Sequence, residues 1–239
     1  MTKAADAAAK LVLPGSRAAL TGGRGQRTRA AYQEDAGLYD VRTRAFQNCR
    51  DRIVAVVDAH ADDVVLDVGC GTGLCFAALR RNLAGGKVIG FDESSAMVEL
   101  ARRRVAASGW DNVEVLHASA ATAESPVLAD KALFCAVHDI LQNPADLAHV
   151  LGQLRPNALV VAGGGKFAGA LNAALNLQVA ALHRPYVRSF TGFAKPWQVL
   201  SGFLDDVVVT EFAWGTGFCA SGRLRPEWSA DRSGEVRRS

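Results

Sequence analysis

The stretch Val64-Val65-Leu66-Asp67-Val68-Gly69-Cys70-Gly71-Thr72-Gly73-Leu74 decides the fold of this 239-residue chain. Its first residues are apolar and mostly β-branched, which is typical of a parallel strand covered on both faces. The alternating glycines that follow predict a tight turn, where missing side chains let a ligand lie against the backbone. A helix is predicted next, over residues 74–82, with its first N–H groups facing that ligand. The stretch therefore predicts a strand, a ligand-binding turn and a helix.

A dinucleotide-binding turn has the pattern G-x-G-x-x-G. Counted from Gly69, the sixth position is Leu74, and counted from Gly71 it is Phe76. Neither residue is glycine, so a nicotinamide or flavin site fits this turn poorly. The acid at Asp67, ahead of the first glycine, favours instead a ligand that carries an ammonium group.

The stretch resembles motif I, D-x-G-x-G-x-G, of the class I methyltransferases that use S-adenosylmethionine (SAM). Asp67, Gly69, Gly71 and Gly73 match its four fixed positions. The resemblance implies that SAM lies on this turn, with its ammonium group towards Asp67. Cys70 stands inside the motif, where the family often has cysteine. It is interpreted either as part of the cofactor site or as a small buried residue.

A second segment supports the resemblance. Residues 88–91 predict the next strand, and Asp92 follows it, 19 residues after the last glycine of the turn. A carboxylate at this position can accept hydrogen bonds from both ribose hydroxyls of a nucleoside. The run Asp92-Glu93-Ser94-Ser95-Ala96-Met97 resembles the family's D-x-S-x-x-M pattern. This implies cofactor contacts for Asp92 and Glu93, and it places Met97 near the adenine.

The third strand, predicted over residues 113–117, precedes the family's usual acid for the adenine amino group. This chain has Ser119 at that position, followed by Ala120. Two interpretations are open. Either backbone N–H groups and apolar contacts hold the adenine, with Ser119 adding an uncharged hydrogen bond, or the assigned position is wrong by one or two residues.

The resemblance implies a Rossmann-like class I methyltransferase fold, an α/β fold with a seven-stranded, mostly parallel sheet of order 3-2-1-4-5-7-6 and helices on both faces. We expect three regions: a flexible basic leader or lid (1–35), a methyltransferase domain (36–223) with a cap segment (167–204), and a charged, disordered tail (224–239). The remaining strands are predicted at 132–137, 158–162, 207–212 and 216–221. The remaining helices are predicted at 40–60, 95–108, 145–154, 168–183 and 195–204.

The candidate catalytic residues are His138, Asp139 and Tyr39. His138 and Asp139 follow the fourth strand, at the sheet edge where α/β folds bind ligands. His138 is interpreted either as a general base, needed if the methyl acceptor must lose a proton, or as a structural histidine. Tyr39 precedes the first helix, whose predicted N-cap is Asp40. In many family members a tyrosine at this place closes over the methyl group, and a packing role is the alternative.

Two further segments contain basic residues, at positions 163–166 and 102–104. The run Gly163-Gly164-Gly165-Lys166 lacks the second glycine and the Ser or Thr of a P-loop. We predict a flexible exit towards the cap segment, with Lys166 contacting an acid of the substrate. The run Arg102-Arg103-Arg104 is predicted to be a solvated helix face.

Composition limits the classes of function. The net charge is +3, and residues 1–30 hold six Lys and Arg against Asp6, so a basic leader for nucleic acid or anionic lipid competes with a merely solvated one. No apolar run reaches the length of a membrane span, and no secretory signal is evident. The five cysteines form no pattern with metal-ligand spacing. They predict reduced thiols in a cytoplasmic protein without a metal site.

We therefore expect a SAM-dependent methyltransferase that modifies nitrogen, oxygen or carbon of a small or amphipathic, lipid-like metabolite. One alternative is an RNA or protein methyltransferase that uses the basic leader. The small basic excess and the lack of an appended recognition domain argue against it and against nucleic-acid partners. Another alternative is a non-catalytic SAM-binding partner protein, against which the intact glycine motif and Asp92 argue. A homodimer is compatible with the sequence.

Overall fold

The computed structural model describes residues 38–169 and 171–229, so the predicted leader lies outside the described residues. Its central feature is a seven-stranded sheet. The strands are β1 Val64–Val68, β2 Lys87–Asp92, β3 Val113–His117, β4 Ala129–Cys135, β5 Leu154–Gly165, β6 Leu204–Phe212 and β7 Gly217–Leu224. Their order is β3-β2-β1-β4-β5-β7-β6. The first five strands are parallel, and β7 is antiparallel to both of its neighbours, β5 and β6. The predicted fold class and strand order are confirmed.

Helices cover both faces of this sheet. The α-helices are α1 Gln47–Val57, α2 Phe76–Leu79, α3 Ser95–Ser108, α4 His138–Leu141, α5 Pro144–Leu151 and α6 Ala173–His183. Residues 38–42 are also helical. Short 3-10 helices lie at Arg44–Phe46, Arg80–Asn82, Leu200–Phe203, Ala213–Gly215 and Pro226–Trp228.

Side chains of the central strands alternate between two hydrophobic clusters, because successive residues of a strand point to opposite faces. Leu66 and Val68 of β1 pack into the cluster that includes the buried residues of α5. Val65 packs into the other cluster, with the buried apolar residues of α1 and α2. Both clusters are shielded from water, which explains why β1 is apolar apart from Asp67.

Helix α3 has the cap residues that its sequence indicates. The Ser94 hydroxyl accepts a hydrogen bond from the Met97 N–H at its N-terminus. Gly109 follows its last residue with φ +63°, the left-handed conformation that ends many helices. The predicted bounds of this helix, residues 95–108, are therefore confirmed.

Several other predicted boundaries are wrong. The helix predicted at 40–60 is interrupted at Thr43 and at the 3-10 turn that follows, so Asp40 is not its N-cap. The helices predicted at 74–82 and 168–183 begin instead at Phe76 and Ala173, and only a 3-10 turn forms within 195–204. The predicted disordered tail begins too early, because Leu224 lies in β7.

The glycine run is not the predicted flexible exit but the end of β5, paired with β7. Gly163 is required by packing, since an added Cβ would lie 2.6 Å from carbon atoms of Ile53. Lys166 is buried rather than available to a substrate. Its Nζ donates to the carbonyl oxygens of Phe167 (2.7 Å) and Gly215 (3.1 Å) and lies 3.2 Å from a Glu211 carboxylate oxygen. The predicted substrate contact of Lys166 is therefore wrong.

Candidate active site

Two cavities adjoin each other along the carboxyl ends of the parallel strands, where α/β folds bind ligands. We call the larger one, about 310 Å³, the cofactor cavity, and the smaller one, about 140 Å³, the acceptor cavity. They share a wall. Its residues are Tyr39, Arg50, Cys135, Ala136, Val137, His138 and Tyr186.

The glycine turn forms the floor of the cofactor cavity. Its three glycines have φ values of +65°, +55° and +78°, which residues with side chains rarely adopt. Around Gly71 no atom lies within 4 Å of an added Cβ, so a ligand can lie against it. Gly69 and Cys70 also line the cavity. Gly73 does not, and its missing side chain instead makes room for the ring of Phe76, 2.5 Å from an added Cβ.

Asp67 is a carboxylate without a partner inside the cofactor cavity. The residue is 1% exposed, and its buried Oδ2 accepts no hydrogen bond. Burial raises its pKa to about 7; the negative charge of Asp92 adds to the shift and Arg50 opposes it. A buried carboxyl group without a cation is unfavourable, so this site is complementary to a ligand that brings a positive charge.

Arg50 is the buried cation of the shared wall. It lies on α1, is 8% exposed, and its Nη1 donates to Oε1 of Gln47 at 2.6 Å. No carboxylate of the described residues lies within ion-pair distance of it. The guanidinium therefore retains donors for an anionic group of a ligand. No sequence motif singles it out, because an isolated arginine on a helix usually faces solvent.

Asp92 connects β2 to the glycine turn. Its Oδ2 accepts from the Gly71 N–H at 3.0 Å, and its Oδ1 accepts from the Ser94 N–H at 2.8 Å. Each carboxylate oxygen can accept a further hydrogen bond, and the residue lines the cavity. The predicted acid thus lies beside the predicted turn, as the spacing of the two segments implied.

The remaining predicted cofactor residues line the same cavity. Met97 is fully buried on α3, and Ser119 and Ala120 follow β3. The Ser119 hydroxyl pairs with the Thr122 hydroxyl at 2.9 Å. Glu93 also lines the cavity.

Arg188 contacts both Glu93 and Asp139 in the wall of the cofactor cavity, and we call these contacts the Arg188 bridge. Nη2 of Arg188 lies 2.5 Å from Oε1 of Glu93, and the backbone N–H of Arg188 donates to both oxygens of Asp139 at 3.1 Å. Burial raises the pKa of Asp139, whereas the contacts with Arg188 oppose that shift. Asp139 therefore holds the segment after α6 in place, a role that the sequence did not reveal.

A second bridge anchors the helical segment that carries Tyr39. Arg104 of α3 contacts a carboxylate oxygen of Asp40 and donates from Nε to the Thr72 carbonyl at 2.8 Å. The Thr72 hydroxyl donates to Asp40 at 2.5 Å. Arg102 likewise donates to the Val115 carbonyl. The predicted solvated face is therefore wrong for Arg104, whereas Arg102 and Arg103 are exposed.

Tyr39 lies in the wall between the cavities, edge-on to Tyr186 with ring centroids 5.8 Å apart. Burial raises the pKa of its phenol well above the ordinary value, so the group is uncharged at neutral pH. This position agrees with either predicted role, closing over a methyl group or packing against neighbours.

His138 lies in the same wall, at the start of α4. Its Nε2 lies 3.0 Å from the Thr191 carbonyl oxygen, and because a carbonyl only accepts, Nε2 carries the hydrogen. Its Nδ1 is buried and has no partner. Burial lowers the pKa of His138, so the ring is neutral at pH 7.

The acceptor cavity is mostly apolar. Aliphatic and aromatic side chains line it, together with Gly163, Gly164 and Gly165 of β5. The aromatic lining residues besides Tyr39 and Tyr186 are Phe46, Phe193, Phe212 and Phe218. None of its lining residues within the described ranges is Asp or Glu. Such a cavity suits a small, largely apolar molecule.

Residues 65–157 match the family model described as a methyltransferase domain. That range contains the glycine turn, Asp92 and the residues after β4. This part of the chain is therefore similar to a methyltransferase domain. The seven-stranded sheet has the strand order of the class I methyltransferase fold.

Similar proteins include named methyltransferases. The chain is 30% identical over 106 residues to trans-aconitate 2-methyltransferase of Pseudomonas paraeruginosa, covering 44% of this chain and 37% of that protein. It is 44% identical over 64 residues to demethylmenaquinone methyltransferase of Symbiobacterium thermophilum, covering 26% of each. The N-methyltransferase NodS of Bradyrhizobium japonicum WM9, solved with S-adenosyl-L-homocysteine (SAH), superimposes with a TM-score of 0.59. That match has 15% identity and covers 83% of this chain and 98% of NodS.

The chain spans only about a third of the length of the curated relatives it matches. Within the described residues, no helix is long and apolar enough to cross a membrane.

Proposed function

We propose that this protein transfers the methyl group of SAM to a small molecule bound in the acceptor cavity. The observation that carries the proposal is Asp67, a buried carboxylate without a partner, set in a cavity next to Asp92. Both acids line the same cavity, where Asp67 would meet the ammonium group of SAM and Asp92 its ribose hydroxyls. The adjoining apolar cavity provides a place for the methyl acceptor.

The charged residues fit the amino-acid part of SAM. Asp67 would pair with its ammonium group, and Arg50 would donate to its carboxylate. This arrangement gives each of the two buried charges an opposite charge, which removes the cost of leaving them unpaired.

The nucleoside part fits the opposite half of the cavity. Asp92 would accept hydrogen bonds from the ribose hydroxyls with the lone pairs that its two backbone contacts leave over. Met97, Ser119 and Ala120 would surround the adenine. When bound, SAM supplies a methyl group on a positively charged sulfur, already activated for displacement.

The residues of this chain mainly align the acceptor and exclude water. Tyr39, Tyr186 and His138 form the wall between the cavities, so the methyl group would pass beside them. Asp139 would act indirectly, through the Arg188 bridge that covers the cofactor. His138 stays a candidate base, with Nδ1 as the only ring atom that can take a proton.

Two relatives support a small acceptor. Their names assign them methyl transfer to trans-aconitate, a small carboxylic acid, and to demethylmenaquinone, an apolar quinone. The apolar lining of the acceptor cavity is more compatible with the second kind of molecule. We infer that the acceptor is a small metabolite with an apolar body.

A direct assay tests the proposal. Purified protein is incubated with SAM and with separate phenols, amines and carboxylic acids, and SAH formation is followed by mass spectrometry. We expect SAH to form with at least one acceptor class and Asp67→Asn to reduce turnover at low SAM concentration. An exposed control, Asp111→Asn, is expected to keep full activity. Folded wild-type protein that forms no SAH above background with any class would contradict the proposal.

A further inference from the structure

We propose that the methyl acceptor carries an ionisable hydroxyl group, a phenol or an enol, and that His183 takes up its proton. This inference rests on the proposed function and names its substrate class. His183 is the last residue of α6 and lines the acceptor cavity only, so it was not among the residues that the sequence singled out.

The hydrogen bonding of His183 fixes which ring nitrogen can act. Its Nδ1 lies 2.9 Å from the Val179 carbonyl oxygen, and since a carbonyl only accepts, Nδ1 carries the hydrogen. Nε2 therefore has the lone pair, and no described residue donates to it. Burial lowers the pKa of His183, which keeps this lone pair available at neutral pH.

Gly165 of β5 makes room for this ring. An added Cβ at position 165 would overlap Nε2 of His183. Gly165 also lines the acceptor cavity, so the nitrogen lies at the cavity wall. Gly165, the last glycine of the run, therefore leaves the space that the imidazole of His183 occupies.

His138 is less well placed for proton transfer. Its Nε2 is occupied by the Thr191 carbonyl, and its Nδ1 has no access to solvent. Both histidines pack edge-on against Phe193, with ring centroids 4.8 Å and 5.3 Å away. Of the two rings, only that of His183 is half-buried rather than buried.

The lining of the acceptor cavity favours an acceptor that enters uncharged. None of its described lining residues is Asp or Glu, so a cationic group would find no carboxylate to pair with. A hydroxyl group enters without charge and needs only the neutral imidazole of His183 to take its proton. The surrounding Phe rings suit a planar body.

The proposed step is balanced without any further reactant. The acceptor hydroxyl gives its proton to Nε2 of His183, and its oxygen forms the new O–C bond. The C–S bond of the sulfonium breaks with its electron pair on sulfur, which becomes the neutral thioether of SAH. His183 then returns the proton to water.

The inference is tested with 4-methylphenol, which stays protonated in water at neutral pH. The protein is incubated with this phenol and SAM, and SAH formation is followed. Two variants are compared: His183→Asn keeps a donor for Val179 but lacks the Nε2 lone pair, and the control His149→Gln, outside both cavities, keeps a donor for the Ala123 carbonyl. We expect methylation by wild type and His149→Gln, and its loss with His183→Asn.

The size of the loss and its dependence on the acceptor provide a second measurement. His183→Asn should lower the rate of phenol methylation by about 10²-fold or more, with the KM for SAM unchanged. It should barely affect benzenethiol, which ionises without help. A His183→Asn protein that methylates 4-methylphenol as fast as wild type, or a wild type that binds SAH and methylates only amines or carboxylic acids, would overturn the inference. Absence of SAH binding would instead count against the proposed function.

Discussion

Asp67 and Arg50 put opposite charges into one buried cavity without pairing with each other. The Asp67 carboxyl has its pKa raised to about 7, first by burial and then by the charge of Asp92. Such a group stabilises a bound cation only in its ionised form. The affinity of the cavity for SAM should therefore depend on pH.

We predict that SAM binding weakens roughly tenfold from about pH 8 to about pH 6, because protonated Asp67 cannot pair with the ammonium group. Binding should also release protons below pH 7. Calorimetric titration in buffers of different ionisation enthalpy measures both effects. The Asp67→Asn variant should bind SAM weakly, and its affinity should depend little on pH. A wild-type affinity that is equal at both pH values would contradict the role of Asp67.

The same residue should reduce the stability of the ligand-free protein. Since the folded-state pKa of Asp67 lies above the unfolded value near 3.9, the folded state binds more protons between about pH 4 and about pH 7. Stability from this group is full below that window and is lost as the pH rises through it. Asp67→Asn should therefore raise the free energy of unfolding at pH 8 by roughly 1–3 kcal/mol. Urea unfolding of both proteins measures this, and a destabilised variant would refute it.

Asp92 is predicted to be the main contact for the ribose. Loss of its charge-assisted hydrogen bonds, about 1.5–3 kcal/mol in all, should weaken SAM binding roughly 10- to 100-fold in Asp92→Ala. Asp111→Ala, an exposed acid in the turn before β3, serves as the control. Circular dichroism verifies that both variants fold. Unchanged SAM affinity in folded Asp92→Ala would exclude the ribose role.

Some residues of the site could be predicted from the sequence, and others could not. Asp67 and Asp92 were predictable because fixed spacing from the glycines places them at the ends of neighbouring strands. Arg50 and His183 were not, because each stands alone in a helix and its neighbours in the cavity are distant in sequence. Lys166 was misinterpreted since its partner, Glu211, lies on another strand.

At the scale of the elements, α3 holds the segment before α1 against the glycine turn. Arg104 contacts Asp40 and Thr72, whereas its neighbour Arg103 pairs only with Glu99 on the helix surface. Residues 40 and 104 are 64 positions apart. The sequence could not reveal this contact, although it gave the bounds of α3 from Ser94 and Gly109.

This pair of arginines gives a matched test. Arg104→Gln should cost about 1 kcal/mol of stability and weaken SAM binding several-fold, because the segment with Tyr39 loses its anchor. Arg103→Gln removes an exposed ion pair and should change neither. Urea unfolding and calorimetry compare the two variants. Equal behaviour of the variants would show that the Arg104 bridge does not position the site.

At the scale of the whole molecule, the parallel strands bring the turn after β1, the acid after β2 and the histidine after β4 to one edge. The resemblance to class I methyltransferases implied this strand order, and the carboxyl ends of neighbouring parallel strands then meet at one edge. The extent of β5 and β7 was underestimated. Gly163 and Gly165 of β5, which would weaken a strand in isolation, make room here for Ile53 and His183.

The central claim is that this fold binds SAM. The most direct test is calorimetric titration of the purified full chain with SAM, repeated with Asp92→Ala. We predict that one SAM binds per chain, with a dissociation constant between about 1 µM and about 100 µM. The Asp92→Ala substitution should increase that constant at least roughly tenfold. A folded wild-type protein that shows no saturable binding of SAM would contradict it.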